Sequence, residues 1–267
     1  MADPITINVT PTNPGQFFAC AGLHLLMSRL PGGASSSSWF AEDAATFQLR
    51  GNHGLFDLLD ALAKAPFTPH RDDDIYSSPF RIGGDFGDEN GGLSVDWWES
   101  DPHDGRDLKV WAGTMESRGI AEAMRKALAP GAFDSADLLD IGMAVKSAEN
   151  ASKKKEPFYF DARRGPSSDA RDIGFAPNDL KLETISYPAV ELLCLVGLQA
   201  ALPLRETATG RRRMYRYHTW TRPLAIGLPP AAVPGLLPDP GARAFVFENA
   251  FRTSQKKHKA FMPARPA

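Results

Sequence analysis

Apolar and polar residues alternate at the start of the chain, with Ile5, Ile7 and Val9 set against Thr6, Asn8 and Thr10, the period of a half-buried strand. The pattern then changes within a few residues. Asn13 is a capping residue, Pro14 suits the first helical position, and Gln16 completes an Asn-x-x-Gln capping box ahead of an apolar run from Phe17 to Leu30. Pro31-Gly32-Gly33 ends that run. It is apolar almost all round, which predicts a helix buried on most sides. A second run of the same kind starts at Pro188 and passes through Val190, Leu192, Leu193, Leu195, Val196 and Leu198. Two such helices need substantial layers around them.

Helical spacing also marks Leu55 to Leu62 and Ile120 to Leu128, the latter with Ile120, Met124 and Leu128 on one stripe. Strands are predicted at Leu93 to Trp98, Leu108 to Ala112, Phe158 to Phe160, Arg213 to Arg222 and Ala244 to Phe247, and Ser135 is placed to cap a helix through Met143. Ala34 to Ser38, Lys146 to Glu156, Arg163 to Asp172 and the proline-rich Pro229 to Pro240 read as loops and turns, with Lys146 to Glu156 the best place for a boundary. No repeat of 20 to 50 residues stands out, which gives a solenoid no support. Strands and helices mix without a regular βαβα rhythm, so the fold class is α+β.

Composition changes the picture through charge. The chain has 267 residues, 43% of them hydrophobic, and a net charge of only -2. That total hides a division: residues 1–145 hold 10 Lys/Arg against 21 Asp/Glu, and residues 146–267 hold 20 against 11. The chain therefore reads as an acidic α+β region, 1–145, and a basic α+β region, 146–267, in two units or one continuous domain. Cys20 and Cys194 both sit inside apolar runs, where a reduced thiol behaves as a small hydrophobe, and free cysteines point to the cytoplasm. The longest candidate membrane span, Phe17 to Met27, is interrupted by His24, and the residues before it lack the basic start of a signal peptide.

The positive charge is clustered as well. Arg205, Arg211, Arg212, Arg213, Arg216 and Arg222 are interleaved with Tyr215, Tyr217, His218 and Trp220. On a strand, Arg216, His218, Trp220 and Arg222 share one face, and bases stacking on Trp220 with phosphates on the arginines would give a nucleic-acid surface. The competing account is a solvated edge strand with its tyrosines in the core. Arg252, Lys256, Lys257, His258, Lys259 and Arg265 follow with no acid after Glu248, a tail that attracts phosphates even if it is only solubilising. Arg163, Arg164 and Arg171 lie in a donor-rich loop, where Asp161, Asp169 and Asp172 are equally good partners for them.

Other chemistry finds less support. Asp72-Asp73-Asp74 read as a solvated loop, Asp85 to Gly92 lacks the spacing of a calcium loop, and His103-Asp104 reads as a surface turn. His24 is expected as a hydrogen-bonded core residue. Walker-type loops, nucleophile elbows and paired CxxC are all missing from the sequence, so no metal, cofactor or ordinary enzymatic activity is expected.

Two passages carry a resemblance: Asn13-Pro14-Gly15-Gln16-Phe17-Phe18-Ala19-Cys20-Ala21-Gly22-Leu23, and Pro188-Ala189-Val190-Glu191-Leu192-Leu193 with Val196-Gly197-Leu198-Gln199. Asp96-Trp97-Trp98, Lys109-Val110-Trp111-Ala112-Gly113 and Asp172-Ile173-Gly174-Phe175 fit with them. Together they resemble the CRISPR-associated Csb-type proteins of subtype I-U, now called I-G. The resemblance implies a non-catalytic subunit of the RNA-guided surveillance complex Cascade, in antiviral defence. Its partners would be the CRISPR guide RNA, target DNA, other Cascade subunits and the helicase-nuclease recruited for interference. Ferredoxin-like, RRM-type folds are common among such subunits, and the short elements here permit one without requiring it. Two rival functions stay open: a metal-independent guide-processing ribonuclease using His218 with Arg216 or Arg222, and a protein-interaction module alone.

Overall fold

A computed structural model describes residues 3–70, 79–87, 92–100, 105–111, 115–128, 131–165, 185–206, 212–252 and 258–267. The first part of the chain holds β1 (Ile5–Asn8), α1 (Pro14–Arg29), β2 (Ser37–Phe40), β3 (Thr46–Arg50), α2 (Leu55–Lys64), β4 (Phe67–Pro69), β5 (Phe80–Ile82), β6 (Leu93–Val95), α3 (Trp97–Ser100), α4 (Gly105–Leu108) and α5 (Ser117–Ala127). The second holds α6 (Pro188–Ala200), β7 (Leu204–Arg205), β8 (Met214–His218), β9 (Leu224–Ala225), α7 (Pro229–Ala232), β10 (Ala244–Phe251), β11 (Lys259–Phe261) and β12 (Arg265–Pro266). The fold is mixed α+β, with every described strand pair antiparallel.

At the centre α1 packs against α6. The contact is close because glycine faces backbone on both sides: a Cβ on Gly22 would fall 2.0 Å from the Leu193 carbonyl oxygen, and one on Gly197 would fall 1.8 Å from that of Phe18. Interaxial distance follows side-chain size at the contact, so removing both side chains lets the two backbones touch. Fourteen of the sixteen α1 residues are buried, as its apolar circumference predicts. The Asn13 side chain accepts from the Gly15 and Gln16 amides. Only half of the expected capping box forms, because Gln16 accepts from the Thr10 amide at 2.6 Å and donates to Leu139 O and Asp140 rather than closing on Asn13.

Three sheets surround the pair. β1, β3, β2 and β9 run in that order, so β1, α1 and β2 form a split unit with β3 inserted between its strands. A ferredoxin-like sheet would take its fourth strand beside β1; here β9 joins at β2 instead, and the outer edge of β1 is covered where the Asn8 amide donates to Ala136 O. The second sheet runs β11, β10, β8, β7, with β12 also on β10, and the third runs β4, β5, β6. The two charge regions share this architecture, since α1 packs on α6, β2 pairs with β9, and one hydrophobic cluster runs through both.

Several predicted elements are replaced by other structure. Leu93–Val95 is a strand, but Trp97 and Trp98 begin α3, and Leu108 ends α4 rather than opening a strand. The helix expected after Ser135 is a single 3-10 turn, Leu138–Asp140. Phe158 to Phe160 forms no strand: Tyr159 has φ 75° and the segment is held by ring packing among Trp111, Phe158 and Phe160. Cys20 and Cys194 are free and buried, and burial pushes both thiols up. His24 is a core residue whose Nδ1 lies 2.9 Å from Ser38 Oγ, and burial lowers its pKa to about 4. Among the described residues no helix is long and apolar enough to cross a membrane.

Candidate nucleic-acid interface

Alternation along β8 decides which of its side chains meet solvent. Tyr215 and Tyr217 point inward, Tyr217 lying 4.3 Å from Phe17 between ring centroids and donating its hydroxyl to Pro11 O, while Met214, Arg216 and His218 face outward. The strand ends at His218. Thr219 and Trp220 then both turn into the core, Trp220 being 1% exposed with its indole N–H donating to Ser38 O at 2.8 Å and its ring against Phe40. The expected row of cation, imidazole, indole and cation is therefore corrected: Trp220 offers no face for a base to stack on. Arg216 is paired with Glu206, and Glu248 stands opposite Met214 on the neighbouring strand, so the outer face of β8 carries mixed charge.

Positive charge collects instead at the inner end of the sheet. Asp107, on α4, meets Arg205 at 2.9 Å and Arg213 at 3.2 Å. Lys259, on β11, stands close enough to sense both Arg213 and Asp107: burial lowers its pKa first, and the charge of Arg213 lowers it further against the opposing pull of Asp107. One carboxylate thus faces three cations. Side-chain exposures of 37% and 36% for Arg205 and Arg213 leave both within reach of a ligand. Next to Lys259, at the same end of the β10–β11 hairpin, Arg252 donates to Arg164 O at 2.8 Å and lies 3.8 Å over the ring of Tyr159, whose centroid is 5.7 Å from that of His258. Sequence clustering picked out Arg213, Lys259, Arg252 and Arg164; Arg205 was in the basic stretch without being singled out, and nothing in the sequence signals that Asp107 sits between them.

Arg163 belongs to a different arrangement. Its guanidinium pairs with Asp161 at 2.6 Å and Asp140 at 2.7 Å, donates to Leu139 O, and lies 3.4 Å over the ring of Tyr187. Asp161 is fully buried and also accepts from Asn13 and from the Arg163 amide. Beside it the buried Glu191 carboxylate accepts from the Phe160 and Asp161 amides. Burial, with the neighbouring charge of Asp161, raises Glu191 to about 7 against the lowering effect of those amides. Arg163 is accordingly a structural group rather than the phosphate contact expected of it.

His218 and Arg222 come together elsewhere, on a cleft of about 410 Å³ lined also by Thr219, Trp220, Leu224, Leu237, Pro238 and Asp239. Arg222 and Arg212 are exposed. Arg171, Arg211, Lys256 and Lys257 lie outside the described residues, as do Asp72 to Asp74 and His103-Asp104. Among the described residues no group of three or more His, Cys, Asp or Glu is placed to hold a metal ion. No family model, no curated protein and no solved structure matches this chain.

Proposed function

We propose that this protein is a nucleic-acid-binding subunit of a CRISPR RNA-guided surveillance complex of the Cascade kind, without chemistry of its own. The observation that carries the reading is Asp107 shared by Arg205, Arg213 and Lys259. Three cations gathered where solvent reaches them can meet a phosphate with release of counterions, and the depressed Lys259 regains its proton affinity when an anion arrives. The residues resembling Csb-type proteins supply the biological setting, with guide RNA or target DNA as ligand and other Cascade subunits and the helicase-nuclease as neighbours. The acidic 1–145 region suits solvent or a basic neighbour, which orients the chain on the complex.

Fluorescence anisotropy with single-stranded RNA tests this. The wild-type chain should bind with marked salt dependence and the Arg213→Ala/Lys259→Ala variant should lose most of that affinity; equal binding by both would remove the reading.

The guide-processing ribonuclease is kept as a second reading because His218 and Arg222 line one cleft. Arg216, the other cation considered for it, is engaged by Glu206. Incubation with repeat RNA separates the two: cleavage abolished by His218→Ala favours the enzyme, and binding without cleavage favours the subunit.

A further inference from the structure

The cleft beside β8 is built differently from the cation cluster. Its lining includes the apolar Leu224, Leu237 and Pro238 together with Trp220, and its polar groups are few. His218 is held by two contacts. Its Nδ1 lies 3.2 Å from Val233 O, an acceptor only, so Nδ1 donates there and Nε2 takes no part in that bond. Gly235, at φ 83°, packs against the same ring so closely that a Cβ there would fall 2.6 Å from Cε1. Asp239, also in the lining, has its carboxylate filled by the Thr221 amide and hydroxyl and the Gly241 amide. Those bonds, with a further one from the Arg222 amide, make it a brace for the loop.

We propose that this cleft receives one unpaired nucleotide, its base between the apolar walls and within reach of His218 Nε2, and its phosphate on Arg222. A cavity of about 410 Å³ is of small-ligand size. Apolar lining accepts any base, a fixed imidazole offers a hydrogen-bonding nitrogen to a base edge or a ribose hydroxyl, and an exposed guanidinium matches a phosphate. This deepens the nucleic-acid reading and rests on it. It also moves base contact from the buried indole of Trp220 to the cleft beside it.

The test uses the full chain with two probes, free uridine or adenosine monophosphate by calorimetry and a single-stranded oligoribonucleotide carrying 4-thiouridine for photocrosslinking. Two cleft variants, Arg222→Ala and Leu237→Trp, and one cluster variant, Arg213→Ala/Lys259→Ala, are compared after circular dichroism has shown each to be folded. Crosslinks are expected in the segment from His218 to Asp239, with Arg222→Ala weakening binding by about tenfold and Leu237→Trp, which fills the space, abolishing the crosslink. Binding of both probes supports a cleft open to free nucleotides; binding of the oligonucleotide alone supports a nucleotide within a strand. If the cluster variant loses RNA binding while both cleft variants bind and crosslink as wild type, the cleft proposal is overturned and the nucleic-acid reading survives. If the wild-type chain binds neither probe, both fall.

Discussion

Two of the places where this protein brings arginine to carboxylate are built in opposite proportion. At the junction of α1 and α6, two acids, Asp140 and Asp161, hold the single guanidinium of Arg163, and a third, Glu191, lies beside Asp161 and is tied to backbone amides in the core. At the end of the β7–β8 edge, one acid, Asp107, stands among Arg205, Arg213 and Lys259 with solvent beside them. The first arrangement uses its charge up internally, and breaking it leaves buried groups without partners. The second gathers three cations at one acid among the described residues, where two of the guanidinium groups still reach solvent. Charge that the fold consumes is structural; charge that it leaves over is available to a ligand.

The largest effect that can break this comparison is on stability. Asp161→Ala should destabilise the chain by about 2–3 kcal/mol, because it removes the buried partner of Arg163 and an acceptor of the Asn13 side chain, whereas Arg213→Ala should cost less than about 1 kcal/mol. Urea unfolding of the two variants checks the contrast, and similar losses would erase it. Trp220→Ala should likewise cost about 3–5 kcal/mol as a core truncation; an unchanged unfolding midpoint would return the indole to the surface.

The next effect is a pH dependence confined to the acidic knot. Glu191 is raised from the ordinary carboxyl range to about 7 in the folded chain, so between those values the folded state keeps a proton that the unfolded state has released. Its stabilisation is complete below that window and is lost as pH rises through about 7. Glu191→Gln cannot lose a proton, so the wild-type chain should lose stability relative to the variant between pH 5 and pH 8 in denaturant titrations. A parallel pH course for both would contradict the buried, proton-holding carboxyl.

The smallest effect sharpens the comparison most. Asp107→Asn removes the acid shared by the cation cluster and should raise affinity for single-stranded RNA severalfold while leaving stability almost unchanged, the opposite sign from any change in the knot. Anisotropy at fixed salt measures it. Weaker binding by this variant would mean that Asp107 organises the arginines rather than offsetting them.

What the sequence made legible follows from what local pattern can encode. α1 and α6 were readable because an apolar run with Pro at its start can only be a buried helix, and Tyr215 and Tyr217 went inward as strand alternation requires. Trp220 escaped because alternation holds only while the strand lasts, and β8 stops at His218; the next two residues both turn into the core. Lys109 to Trp111 and Phe158 to Phe160 have the composition of strands, yet their order comes from Trp97, Trp98, Trp111 and the two phenylalanines packing on one another, contacts between distant segments that no local period records. The same distance hides the fate of the arginines. Charge counts located a basic region, but whether Arg163 would be spent on Asp161, or Arg213 left with a share of Asp107, depends on acids brought from elsewhere in the chain.

The central claim is that surplus positive charge around Asp107 binds phosphates, and the salt dependence of RNA binding tests it most directly. The slope of log affinity against log salt should fall by about 0.7 for each phosphate contact removed when wild type is compared with Arg213→Ala/Lys259→Ala. Superimposable slopes for the two chains would contradict it.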